Sequence, residues 1–189
     1  MTQAITKTLT IEEFLQREET KPASEFINGK IFQKPMPQGE HSLLQGKLCE
    51  KVNRVVRNQK TALAFPELRC TFGNKSIVPD IAVFRWSRIP LTASGRVANR
   101  FEIHPDWSIE ILSPGQSLTK VLSNLLHCSF HGTELGWLVN PEEESIFVVH
   151  PEQRIELFER NAVLPVLSGV ELELKVENVF SWLRIEPTS

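Results

Sequence analysis

Apolar positions along this chain recur with two periods, near 3.6 and 2, and the change from one to the other marks out the elements. Ile11, Phe14 and Leu15 fall on one helical face behind Thr10, and Glu13 stands three residues after that threonine, the spacing of a capping box. This first helix is expected to end before Lys21-Pro22. From about Gly39 to Gln59, Leu44, Leu48, Val52 and Val55 form an apolar stripe, and from about Ser117, Leu118, Val121, Leu122, Leu125 and Leu126 form another, with Gly132 as its C-cap. Val176 to Leu183 reads as a short closing helix. Strand patterns lie between these segments. Glu25-Phe26-Ile27 and Lys30-Ile31-Phe32 flank Asn28-Gly29, a hairpin turn whose two residues tolerate positive φ, and Pro35 and Pro37 end the second strand.

Further strands are expected over Ala62 to Phe72, interrupted by Pro66, and over Val78 to Phe84 after a Gly73-Asn74-Lys75 turn. Ser108 to Leu112 follows Pro105-Asp106, and Ser113-Pro114-Gly115 stops it. Leu135 to Val139, Ser145 to Val149 and Arg154 to Phe158 complete the set. Arg85 to Arg100 has no clean period and reads as a long loop of the kind that borders a cleft. The order predicts an α/β fold with a mixed central sheet, flanking helices, an N-terminal hairpin and extra C-terminal strands.

With 189 residues, 41% of them hydrophobic, the chain fits one domain over 1–189 with a substantial core. A formal net charge of −2 excludes an overall basic nucleic-acid binder, so any contact with nucleic acid needs a local patch. Lys47, Lys51, Arg54, Arg57 and Lys60 supply one on the second helix, opposed by Glu50, and it reads either as a solvated face or as a phosphate-binding face. Cys49, Cys70 and Cys128 lack CxxC spacing, and no charged-then-apolar leader opens the chain, which together point to a reducing cytoplasm. No apolar run approaches the ~18 residues of a membrane span. There is no tyrosine and no glycine-rich phosphate loop, so no organic cofactor is expected.

Two carboxylates interrupt otherwise apolar strands, Asp80 in Val-Pro-Asp-Ile-Ala-Val-Phe and Glu110 in Ser-Ile-Glu-Ile-Leu-Ser-Pro. An isolated buried carboxylate is costly, so each needs a cation, a metal or a donor network, and neighbouring strands suggest a shared divalent metal. His41, one turn before Leu44, reads either as a core or capping histidine or as part of that site. His127 and His131 have the i, i+4 spacing of zinc ligands but no third ligand in sequence range. Cys128 lies on the apolar side of its helix and reads as a buried, inert thiol. The four tryptophans read as core or edge packing rather than base-stacking platforms.

Taken in order, Glu25-Phe26-Ile27-Asn28-Gly29, His41, Pro79-Asp80, Glu110 to Pro114, the helix from about Ser117 and Trp137-Leu138-Val139-Asn140-Pro141 resemble the restriction-endonuclease-like (PD-(D/E)xK) superfamily. More narrowly they resemble its Uma-type endonuclease branch, over roughly residues 9 to 183. The resemblance implies the restriction-endonuclease-like fold and a Mg²⁺- or Mn²⁺-dependent DNA endonuclease, acting as a homodimer because cutting two strands favours paired sites. It implies that Asp80 and Glu110 hold the metal, with the Ile111 carbonyl as a third ligand, that Glu25 is an outer ligand or orienter, and that His41 lies near the metal. It also requires a catalytic lysine. The superfamily places that lysine where Leu112 stands, and the branch moves it to the position of Asn124. Lys120, one helical turn earlier on the Asn124 stripe, is the candidate replacement. Without a working lysine the same scaffold would bind nucleic acid or a protein and not cut.

Overall fold

The computed structural model describes residues 9–185. Helix α1 (Ile11–Leu15) is closed by the capping box, with the Glu13 N–H donating to the Thr10 hydroxyl and the Thr10 N–H donating to the Glu13 carboxylate. Strands β1 (Ser24–Ile27) and β2 (Lys30–Gln33) form the expected hairpin, and Asn28 and Gly29 both take positive φ (51° and 77°) at its turn. Helix α2 (Gly39–Gln59) buries Leu44, Leu48, Val52 and Val56 along one side. The stretch read as one interrupted strand divides at Pro66 into β3 (Ala62–Pro66) and β4 (Cys70–Phe72), and the two halves join different sheets. A turn at Gly73 and Asn74 leads to β5 (Lys75–Ile77), after which β6 (Ile81–Arg85) and β7 (Trp107–Ile111) form the centre of the molecule. Helix α3 (Leu118–Phe130), strands β8 (Leu135–Asn140), β9 (Ser145–Val149) and β10 (Ile155–Glu159), and helix α4 (Val176–Ser181) complete the chain.

Six strands form a mixed sheet in the order β10-β9-β8-β7-β6-β3, in which only β7 and β8 run parallel. The helix α3 between them is the crossover a parallel pair requires. Along β6 and β7, odd and even residues face opposite ways. Ile81, Val83, Trp107, Ile109 and Ile111 pack with the buried stripe of α2 and with Val176, Val179 and Phe180 of α4. Ala82 and Phe84 pack with Cys70, Ile77 and Cys128, beneath a second sheet of order β2-β1-β5-β4. The sequence pattern foretold the hairpin of this second sheet and, as the second half of the interrupted strand, β4, but not the three-residue strand β5 between them. Trp107 and Trp137 are fully buried, with ring centroids 4.7 Å apart, in keeping with a packing role.

The irregular segment from Arg85 to Arg100 lies elsewhere than expected. It leaves β6 at Arg85 and returns through Trp107 of β7, so it sits at the far end of the strands from Asp80 and Glu110. Two of its arginines are engaged there. The Arg88 guanidinium binds buried Asp106 at 2.6 Å, and that of Arg85 binds Glu134 at 2.7 Å.

The i, i+4 histidines of α3 join an aromatic group. His127 stacks on Phe72 with centroids 5.0 Å apart, His131 lies edge-on to both rings, and His127 Nε2 is 3.3 Å from the Phe72 carbonyl. Among the described residues no group of three or more His, Cys, Asp or Glu side chains is placed to hold a metal. Burial, with Lys75 nearby, lowers the His127 pKa from 6.5 to about 4. The fold thus favours the neutral ring, and stability present above about pH 6.5 is lost as the pH falls toward about 4. The ring is half-exposed, so the effect is on the order of 1 kcal/mol once solvent screening is allowed for. His127→Phe keeps the stacking and is expected to flatten the fall in Tm over that interval in a thermal melt. A variant as acid-sensitive as the wild type would contradict this.

Candidate active site

Asp80 lies where the chain passes from the second sheet into the first, just past the end of β5 and immediately before β6. The β6–β7 register pairs Ile81 with Ile109, and one further step sets Asp80 opposite Glu110. Both carboxylates are buried, at 2% and 3% exposure, on the even face beneath the second sheet. They are met there by a side chain for which the sequence reading offered no role. Lys34 follows β2, and its Nζ lies 2.7 Å from Asp80 Oδ1, 3.2 Å from Glu110 Oε2 and 2.7 Å from the Val78 carbonyl. Three acceptors around one ammonium use all its donors.

The remaining atoms of Asp80 are also held. Its Oδ2 accepts the Ile111 N–H at 2.7 Å and lies 3.1 Å from His41 Nε2, while Gln45 of α2 donates to its main-chain carbonyl at 2.8 Å. Glu25 stands beside this group. Its Oε1 accepts the Val78 N–H at 2.9 Å, and its Oε2 accepts from Asn124 Nδ2 at 3.2 Å. Asp80, Glu110, Glu25 and His41, from four separate segments of the chain, thus gather within one hydrogen-bonded assembly.

Lys120 does not join these contacts. Its ammonium lies over the Phe32 ring, 4.1 Å from the centroid, in the wall of a cleft of about 350 Å³ that Glu25, Lys34, Glu110 and Asn124 also line. Asn124 is buried against Glu25, so the stripe it shares with Lys120 faces the second sheet at this point. The lysine at the carboxylates is therefore Lys34, and Lys120 lines the approach to them.

The charges act on one another strongly. Burial opposes ionisation of Asp80, but the Lys34 ammonium and the His41 hydrogen bond outweigh it and take the carboxyl down to about 2. Glu110 shifts the other way. Complete burial, with Asp80 and Glu25 close by, pushes it up to about 8 in spite of Lys34. Burial also opposes the Lys34 charge, yet Glu110, Asp80 and Glu25 more than offset it and hold the ammonium's pKa above the ordinary lysine value. The site therefore carries more acid than one cation neutralises.

A divalent cation can be tested against these residues on the donor set. Glu110 Oε1 is buried and has no hydrogen-bond partner, and an unmet buried acceptor is costly. Hard cations such as Mg²⁺ take oxygen ligands and bind through one or two carboxylates while keeping several waters, so the open oxygen of Glu110 beside Asp80 fits such an ion. Cys128 contributes no chemistry here. Burial pushes its thiol up to about 12, which keeps it inert at neutral pH.

The Lys34 signal was present in the sequence as strand alternation. Register about the Asn28-Gly29 turn pairs Glu25 with Phe32, and Lys34, two residues beyond Phe32, shares that face.

No curated protein matches the sequence. A crystal structure described as a "putative nuclease belonging to DUF820" from Anabaena variabilis ATCC 29413 is 55% identical, with a TM-score of 0.91, and the match covers 93% of this chain and 99% of that one. The Uma2 family model, described as "Putative restriction endonuclease", matches residues 11–177. The chain accordingly belongs to the Uma2 family, within the restriction-endonuclease-like group.

Proposed function

We propose that this protein is a divalent-metal-dependent DNA endonuclease that hydrolyses phosphodiester bonds at the Asp80–Glu110–Lys34 cluster. The observation that carries this reading is the position of Lys34, whose ammonium bridges two carboxylates at the edge of an open cleft. Phosphodiester hydrolysis needs an activated water, stabilisation of charge on the phosphorus oxygens and protonation of the leaving oxygen. A divalent cation, Mg²⁺ or Mn²⁺, supplies Lewis-acid stabilisation when bound, with Asp80 and Glu110 as its holders and the Ile111 carbonyl as a further ligand by family resemblance.

The chain's own groups do the rest. Lys34 takes the role assigned in the sequence to Lys120, since it sits at the carboxylates with three donors and remains charged there. It stabilises negative charge developing on the phosphate. Glu25 fixes Val78 and Asn124, and so orients the segment that carries Asp80. His41 holds Asp80 Oδ2 in place from the end of α2. The exposed basic residues Lys47 and Arg54 continue from the His41 end of α2 along its outer side, with half-buried Lys51 between them, and contact backbone phosphates of the DNA. Two copies acting as a homodimer would cut both strands. No helix of the described residues is long and apolar enough to cross a membrane. The rival reading is a scaffold that binds without cutting, and what favours it is that Lys34 by itself already neutralises part of the acidic pair.

Cleavage of supercoiled plasmid in Mg²⁺ or Mn²⁺ separates the two lysines. Lys34→Met is expected to lower the rate by a factor on the order of 10² or more, while Lys120→Met keeps it within a few-fold. Removing Lys34 also leaves buried charge uncompensated, at a cost of about 3 kcal/mol, so the circular dichroism spectrum must first show that the variant is folded. Equal cleavage by wild type and folded Lys34→Met would overturn the assignment, and a wild type that never cleaves would leave the binding scaffold as the better reading.

The basic side of α2 has its own test in the salt dependence of DNA affinity. Changing Lys47, Lys51 and Arg54 together to Gln is expected to weaken binding and to reduce the log–log salt slope by up to about one unit per lost contact. An unchanged slope would return these residues to a solvated face.

A further inference from the structure

A second cleft, of about 630 Å³, lies on the other side of the Pro114-Gly115 turn from the first, and both of these residues line each cleft. His41 ties the second cleft to the carboxylate pair. Its Nε2 contacts Asp80, and the same ring lines the second cleft. Two polar side chains more than nine-tenths buried border that cleft with an atom left unmet. Asn140, at the end of β8, donates from Nδ2 to Glu143 at 3.0 Å, which fixes the orientation of its amide, and its Oδ1 has no partner. His41 Nδ1 is likewise without a partner.

An unmet amide oxygen in this cleft calls for a donor from the ligand. A phosphodiester presents acceptors only, and Glu40 and Glu142 at the rim would repel it. Leu112 and Pro141 give the cleft apolar surface, which suits a flat ring. We propose that the second cleft receives the base of the nucleotide next to the cleaved phosphate, and that it selects a base bearing an exocyclic amine, with Asn140 Oδ1 as the chief acceptor. This rests on the nuclease reading of the first cleft and adds to it a specificity-determining subsite. Asparagine and glutamate oxygens accept from the amines of adenine and cytosine, and uracil offers a carbonyl in place of the cytosine amine.

Cytosine carries an amine at C4 and an acceptor at N3 where uracil carries a carbonyl and an N–H, so short fluorescent single strands of deoxycytidine and of deoxyuridine compare the two edges directly. Their affinities would be measured by anisotropy in EDTA, where nothing is cut, and again with Ca²⁺. Wild type is expected to prefer the deoxycytidine strand by about tenfold. Asn140→Leu is expected to bring the ratio near one while leaving deoxyuridine binding unchanged. Because Asn140 is buried and its loss could prevent folding, Glu40→Gln on the exposed start of α2 serves as the second variant and is expected to reduce the ratio. Equal binding of the two strands by wild type would overturn the inference alone, as would a preference unchanged in both variants. Failure of wild type to bind either strand in either buffer would overturn the nuclease reading and the inference with it.

Discussion

The site depends on a single ammonium placed between two buried carboxylates. Asp80 and Glu110 sit opposite each other on adjacent strands under a layer of protein, where one uncompensated charge is already costly and two repel. Lys34 touches both, and their ionisation divides accordingly, with Asp80 firmly charged and Glu110 driven toward its neutral form. Such an imbalance, maintained at the mouth of an open cleft, is a common mark of a functional site. A group serving stability alone could have been replaced by apolar side chains of similar volume at little cost.

Much of the fold can be understood as delivery of these groups to one point. The break between β5 and β6 lets the chain cross from one sheet to the other at Asp80, and the parallel β7–β8 pair requires α3 to pass over the same end. The hairpin brings Glu25 and Lys34 down on this end as a lid, and the first turn of α2 brings His41 up to it. Glu25 then joins the two layers, since its carboxylate accepts from Val78 on one side and Asn124 on the other. Removing the hairpin would remove the lysine, a carboxylate and the wall of the cleft together.

The sequence made the carboxylate pair legible because each acid interrupts an apolar strand, a pattern that few residues tolerate without a purpose. Helices α1, α2 and α3, the Asn28-Gly29 hairpin and the three C-terminal strands were equally legible from periodicity and turn chemistry. Lys34 was legible only in part, since alternation about the hairpin turn puts it on the face of Glu25 but its seat between Asp80 and Glu110 depends on packing between layers, which does not follow from proximity in the chain; Lys120 is closer to Glu110 in sequence and yet rests on Phe32. Strand β5 is too short to show a period. The Arg85–Arg100 segment looked like the border of a cleft because of its composition, whereas strand direction alone assigns it to the end of β6 away from Asp80.

The most direct test of a metal site built on Asp80 and Glu110 is thermal denaturation with and without divalent cation. A ligand that binds only the folded state raises Tm in proportion to the logarithm of its concentration over Kd. Mg²⁺ or Mn²⁺ is expected to raise the Tm of the wild type and to leave that of Asp80→Asn unmoved. An equal rise in the two proteins, or none in the wild type at any concentration, would contradict a metal site at this pair.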